Sequence, residues 1–317
     1  SPLYGEGALS GVIELRTKQP TKDWHVTGEN AWGSYGLQKY FVDASGTTSQ
    51  GLGLYVGGRY IETDGYRQNS FHEGSSALIK TEGRVNELLS IHNAFYFADH
   101  ETGISGPLLP SEALINRRQK DPDGQFGDKF TDNLMQDGLR VDYWAEPIDV
   151  QFSNLLGYRL RDQDSLQSFG GAFPGTSINA IGTETFSNVV QASKEWVNGG
   201  LGQQLVLGVE WEVDDIHNPF TFDDKTFGPF RSERSIDRRL LGYFAQHRVE
   251  LWEKFILDAG VRYDDIDWNI YDLFTPSLEK KKKSTHLSPS IGFEVKPIPE
   301  AAIFMSFSEA FKAPDAN

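Results

Sequence analysis

The sequence predicts an all-β chain of the transmembrane antiparallel β-barrel type. Three observations carry this: short runs that alternate apolar and polar residues with a period of two, connections that alternate short and long, and large aromatics at the ends of the runs. In the clearest run Phe255, Leu257, Ala259, Val261 and Tyr263 share one face, and Asp258, Gly260, Arg262 and Asp264 the other. One face suits lipid and the other water. Leu205, Leu207, Val209 and Trp211 against Gln204, Gly208, Glu210 and Glu212 repeat the pattern, as do Leu287, Ile291, Phe293 and Val295 against His286, Ser288, Ser290 and Glu294.

Reading every such run predicts about thirteen strands, near residues 24–32, 37–45, 52–62, 75–83, 88–99, 132–144, 149–162, 184–196, 203–213, 236–251, 254–265, 285–296 and 301–311. Short turns are expected near 46–50, 84–87, 145–148, 198–202, 252–253 and 297–300, with a short loop at 33–36. Long loops are expected at 62–74, 100–131, 163–183, 214–235 and 266–284. Outer-membrane barrels have short periplasmic turns and long extracellular loops, so this parity places the five long segments outside the cell. Trp24, Trp32, Tyr143, Trp144, Trp196, Trp211 and Trp252 fall at or near strand ends, as an interfacial girdle requires, although ordinary strand-edge packing would put some of them there too.

Composition narrows the alternatives. Apolar residues make up 38% of the 317, but no stretch approaches the roughly 18–20 uninterrupted apolar residues of a spanning helix. A mean hydropathy of -0.45 fits a water-soluble chain and a barrel equally, because alternation averages out. There is no cysteine, which removes thiol nucleophiles, disulfides and thiolate metal sites. A formal charge of -15 lacks the basic footprint of a nucleic-acid binder. No signal peptide is visible; the chain starts at Ser1-Pro2 without methionine, so its N-terminus is expected not to be native.

At the N-terminus, Leu3-Tyr4-Gly5, Gly7-Ala8, Gly11-Val12-Ile13 and Thr17-Lys18 resemble the close of the plug domain of TonB-dependent outer-membrane receptors, with Ser10 in place of a glycine and Glu14 where asparagine is common. The glycine spacing and the strand that follows do not suit a phosphate-cradling loop. Residues 242–265 (GYFAQHRVELWEKFILDAGVRYDD) resemble a barrel hairpin of the same family, and residues 287–317 the segment after it. The resemblance implies a plug inside a barrel of about 22 strands. It divides this chain into a plug tail (1–18), a linker (19–23) and the N-terminal part of the barrel (24–317), with the remaining strands and the TonB-contacting box expected outside it. The implied setting is the outer membrane of a Gram-negative bacterium, with outer-membrane lipid and lipopolysaccharide around the barrel. The implied partners are the TonB complex, through the missing N-terminal region, and a small-molecule chelate, with no nucleic acid.

No catalytic constellation is visible, so the chain reads as no enzyme. None of the seven histidines forms a paired ligand spacing such as HxxxH, so no cofactor is expected and iron, if carried, arrives inside a chelate. The residues of interest are those that strand parity turns inward near the outer mouth: Arg59, Arg159, Arg161, Arg238 and Arg262. Together they could form a cationic funnel for an anionic ferric chelate. The competing expectation is a salt network along the wall, since Glu210, Glu212, Asp258 and Asp264 face the same way. Of the loop aromatics, Tyr66 and Trp268 are candidates to stack on a ligand, although packing between loops would use the same rings. Lys280–Lys283 reads as a solvated loop tip. The expected function is TonB-dependent uptake of a scarce ligand, first a ferric siderophore or other iron chelate. Corrinoid or saccharide uptake, and a passive structural barrel or porin, are the alternatives.

Overall fold

A computed structural model describes residues 17–125, 127–170, 174–252, 254–275, 277, 279–298, 301–309 and 311. The plug-tail motif in residues 1–16 lies outside them, as do parts of the turns expected at 252–253 and 297–300. Thirteen strands form one sheet in strict chain order, each antiparallel to the next. They are β1 His25–Trp32, β2 Gln38–Thr47, β3 Gly53–Thr63, β4 His72–Arg84, β5 Leu89–Gly103, β6 Lys129–Ala145, β7 Val150–Phe169, β8 Gly175–Asn198, β9 Leu201–Asp224, β10 Gly228–Leu251, β11 Phe255–Asp272, β12 Lys280–Ile298 and β13 Ala301–Ser308. Among the described residues β1 pairs only with β2 and β13 only with β12, so the sheet they form is an arc of a barrel that does not close.

The pleat divides the chain chemically as the alternation predicts. On β11, Val261 and Tyr263 are each 39% exposed on the outer face, while Arg262 and Asp264 are 2% exposed on the inner one. Cross-strand register carries this parity around the arc: Arg262 pairs with Ser288 and Phe244, and Asp214 with Arg238 and Thr185. The outer face shows Val56, Ile79, Phe186, Leu207, Val209, Leu257 and Ile291 exposed, as a lipid-facing surface must be. Residues 17–21 run along the inner face, where Lys18 Nζ donates to Asp43 Oδ2 at 3.0 Å and Thr21 N to Ser45 Oγ at 3.0 Å.

The strands are longer than expected at one end, and this is the main correction to the sequence reading. The long loops expected at 163–183, 214–235 and 266–284 shrink to 170–174, 225–227 and 273–279, because β7 to β12 continue through most of those residues. β8, β9 and β10 each have 24 residues, about 80 Å of strand, whereas a tilted membrane crossing needs roughly 9–11 residues. The excess projects beyond the apolar band. There the alternation inverts: on β11 the apolar residues are Val261 and Tyr263 on the outer face, then Ile266, Trp268 and Ile270 on the inner one, with Asp265 and Asp267 outside. On β9, Val209 and Trp211 face out, then Ile216, Phe220 and Phe222 face in. A run of alternation that changes phase looks aperiodic, so the sequence reading stopped the strands there. The backbone does not stop, because its N–H and C=O groups still need partners.

At the other end the connections are tight. Gly199 and Gly200 adopt φ of 60° and 81° in a two-residue hairpin between β8 and β9, a conformation suited to glycine. The long connection retained is 104–128, which carries helix α1 (Pro110–Ile115). It is latched to the β3–β4 loop by side chains: Arg67 Nη1 donates to Gly106 O at 2.6 Å, and Asn69 Nδ2 to Ile104 O and Asp128 O, both at 2.8 Å.

Candidate functional site

All five arginines singled out from the sequence stand on the inner face, on β3, β7, β10 and β11, but their surroundings differ. Arg262 is buried between two carboxylates. Its Nη2 donates to Glu210 Oε2 at 2.6 Å and its Nε to Asp264 Oδ1 at 2.8 Å. Its guanidinium lies 5.9 Å from the Phe244 ring centroid. Gly242, paired with Asp264 across the strands, leaves the room this needs: a Cβ there would collide with Arg262 Nη2 and stand 3.0 Å from Asp264 Oδ1. Arg238 Nη1 bridges Glu212 Oε1 at 2.6 Å and Asp214 Oδ2 at 2.5 Å. Asp214 also accepts from Thr185 Oγ1 at 2.6 Å, and Thr185 Oγ1 accepts from Arg159 Nη2 at 3.0 Å. A hydrogen-bonded belt therefore crosses from β7 through β8 and β9 to β10, with the Arg262 cluster beside it on β11.

Arg161 forms a bidentate pair with Asp132, at 2.8 and 2.7 Å. Two parallel N–H···O bonds fix both planes and match the guanidinium fork. Arg59 is exposed, and among the described residues no hydrogen bond or ion pair engages it. Close to it, at the outer end of β4 and β5, the His72 and His100 rings stack with centroids 5.5 Å apart. Burial, then the charges of His100 and Arg59, holds the His72 imidazole below its ordinary pKa. Its Nδ1 lies 2.9 Å from Thr102 Oγ1. The five arginines thus divide: Arg161, Arg238 and Arg262 are held by carboxylates, Arg159 touches only a hydroxyl, and Arg59 stands clear.

The two aromatics have unlike positions. Tyr66, in the β3–β4 loop, meets Tyr35 edge-on at 5.6 Å, and the Arg118 guanidinium sits 5.7 Å from its ring, so it ties three loops together while remaining 47% exposed. Trp268 lies on a strand and not in a loop. It is 6% exposed on the inner face, packed with Leu240, Ile266 and Ile270. Lys283, expected at a loop tip, is also on a strand, and its Nζ donates to Asp265 Oδ2 at 2.9 Å.

The sequence reading missed a groove of about 520 Å³ on the inner face of β7 to β10, above the belt. All of its lining residues except Ile236 fall in the segments 163–183 and 214–235, which the sequence reads as loops. The signal for it was present, since Phe220, Phe222 and Phe230 fall in one phase with Asn218 and Ser232 once β9 and β10 are continued. Among the described residues no group of three or more histidine, aspartate or glutamate side chains is arranged to hold a metal ion.

Residues 80–317 match the family described as "TonB dependent receptor-like, beta-barrel". The vitamin B12 transporter BtuB of Vibrio cholerae serotype O1 is 22% identical over 320 residues, covering 99% of this chain and 45% of that protein. The chain spans about half the length of the curated relatives it matches. Among solved structures, the unliganded ferric citrate transporter FecA superposes with a TM-score of 0.85 at 12% identity, covering 98% of this chain and 48% of that one. The siderophore receptor PiuA of Acinetobacter baumannii gives 0.82 at 14% identity, with 97% and 52% covered. The ferripyoverdine receptor of Pseudomonas aeruginosa, bound to ferripyoverdine, gives 0.77 at 13%, with 98% and 46% covered.

Proposed function

The chain belongs to the TonB-dependent receptor β-barrel family, and from that premise we propose that its parent protein imports a scarce ligand through the outer membrane of a Gram-negative bacterium, drawing energy from the TonB complex. The long-strand end faces outward, and the ligand enters between the projecting strands and the loops. The ligand class we favour is a ferric siderophore or other iron chelate.

The observation that supports an anionic chelate is the pair of inner-face arginines without a carboxylate partner. Arg59 has no ion-pair partner among the described residues, and Arg159 donates only to Thr185. A guanidinium with donors to spare suits carboxylate or catecholate oxygens, and at the wet mouth of a barrel it raises the local concentration of an anion. Arg161, Arg238 and Arg262 are already neutralised, so in this reading they hold the wall.

The test is growth of a full-length knockout on defined iron sources, complemented with wild type or with the Arg59→Gln/Arg159→Gln double variant. Loss of growth on one chelated source identifies the ligand. The double variant should bind that chelate about tenfold or more weakly, and the loss should shrink as salt rises. Growth unaffected by the knockout on every iron source would refute the iron reading. The 22% identical relative then makes corrinoid uptake the second reading, tested by growth dependent on added vitamin B12.

A further inference from the structure

The groove on β7 to β10 differs chemically from the arginine belt below it. Register places Phe222 opposite Phe230, Phe220 opposite Ser232 and Asn218 opposite Arg234, and on the other side Asn179 opposite Phe220. All of these point to the inner face. The Phe220 and Phe230 rings lie 6.3 Å apart at 59°, and Phe169 and Phe222 form a second pair at 6.1 Å. Between the rings the lining is hydroxyls and carboxamides. Ser177, Asn179, Asn218 and Ser232 make no side-chain hydrogen bond among the described residues, and Gln167 donates only to Ser165, at 3.2 Å. The one charged lining residue, Arg234, is paired with Asp272 at 3.7 Å.

A strand face in open water has no need of apolar rings, and a face built only to pack would not carry free carboxamides between them. Few polar groups set among aromatics, in a cleft within the usual size range of ligand sites, is how proteins hold small molecules. The charge balance decides the class. The lining's one cation, Arg234, already has the Asp272 carboxylate beside it, and a cation finds no lining carboxylate. Asn218 lies four residues beyond Asp214 on β9, about 13 Å farther along the strand, so the belt's charges are not part of the lining.

We propose that this groove is a binding site for the uncharged face of a ligand, one that presents hydroxyl or carboxamide groups together with an apolar edge. The amides and hydroxyls of Asn179, Asn218 and Ser232 take up its hydrogen bonds, and Phe220 and Phe230 cover its apolar edge. The proposal rests on the import reading and not on the iron reading, because the groove meets a ligand only if this end of the barrel opens outward, whichever ligand class the arginines serve.

The test is calorimetry on the purified full-length receptor with three probes: maltohexaose for hydroxyls, cyanocobalamin for carboxamides and ferric citrate as an anionic chelate. One neutral probe should bind, and Asn179→Leu/Asn218→Leu should weaken it about tenfold or more. Phe220→Ala should weaken it as well. An unchanged melting profile shows that the variants fold. Whichever neutral probe responds tells hydroxyl from carboxamide recognition. Failure of both neutral probes to bind at millimolar concentration would overturn the proposal, as would neutral binding that the Asn variants leave intact. Equal weakening of ferric citrate by the same variants would remove the claim of neutrality. Uptake measured separately in cells lacking TonB tests the import reading, since binding to purified protein needs no TonB.

Discussion

Arg262 gives the sharpest test of how the inner wall is held. Its side chain and that of Asp264 are each 2% exposed, and Glu210 is 21% exposed. Replacing Arg262 with Met keeps most of the volume that packs on Phe244 and removes both ion pairs. Asp264 then stays buried opposite Gly242 without the guanidinium that faces its Oδ1 at 2.8 Å. Removing one partner of a buried pair costs about 3–5 kcal/mol, and the more exposed Glu210 contributes the smaller share. We therefore expect Arg262→Met to lower the unfolding free energy of the full-length receptor in detergent by about 3 kcal/mol or more. Adding Asp264→Asn should recover roughly half of that, because the buried charge that lost its guanidinium is gone while the geometry stays. Arg262→Lys should rescue poorly, since a single ammonium lacks the fork that reaches both carboxylates. Urea titration of the three variants beside wild type measures this. A loss below about 1 kcal/mol for Arg262→Met, or one that Asp264→Asn deepens, would refute the argument.

The same logic separates two arginines on one strand. Arg161→Gln breaks the bidentate contact with Asp132 and should lower stability with little change in affinity, whereas Arg159→Gln should do the reverse; identical effects would dissolve the distinction. The orientation is tested with cysteines: Thr226→Cys, in the 225–227 loop, should react with an impermeant maleimide on intact cells, and Glu87→Cys, in the turn between β4 and β5, should not. Labelling in the opposite pattern would invert the topology. For His72, the folded pKa lies below the unfolded one, so the unfolded chain binds more protons and stability rises with pH across that window. Its contribution is fully present above about pH 6.5 and is lost on acidification below it. His72→Gln should flatten that part of the pH–stability curve, and an unaltered slope would assign the dependence to other groups.

Much of this was legible because a barrel strand has one fixed period. Phe255 to Asp264 announced both faces of β11, and the inward parity of all five arginines followed from the same count. What the sequence concealed were contacts that depend on strand pairing. Arg238 reaches Asp214 because the two residues stand opposite each other, and Arg161 reaches Asp132 across a diagonal; neither is a sequence neighbour. Trp268 was misplaced for another reason. It lies where alternation changes phase, in Ile266, Trp268 and Ile270, and a strand reader tuned to an apolar outer face sees a loop.

That phase change is itself informative, because it occurs within four residues of register on adjacent strands. Register sets Leu240 opposite both Glu212 and Ile266, and close to this row the outer face passes from apolar to polar: after Val213 on β9, between Leu241 and Arg239 on β10, and after Tyr263 on β11. Trp211, 44% exposed on the outer face, sits immediately beside the row, where an interfacial aromatic belongs. Toward the short-turn end, Trp196 pairs with Gln203, eight residues from Trp211 along β9, or about 26 Å of strand. At the roughly 35–45° tilt of barrel strands this spans about 20 Å along the barrel axis, somewhat less than the roughly 25 Å apolar band of outer-membrane barrels. The inversion lies where lipid would give way to water around a barrel of this family. Around it the inner face carries charges that pair across the wall, Glu210 with Arg262 below the row and Asp214 with Arg238 just above; farther out the inner face becomes richer in apolar and amide side chains while the outer face takes more of the charges. A strand that only needed to reach its next hairpin would become polar on both faces once clear of lipid. β9, β10 and β11 instead keep Ile216, Phe220, Phe230, Ile266 and Ile270 on the inner face, as the groove proposed above requires.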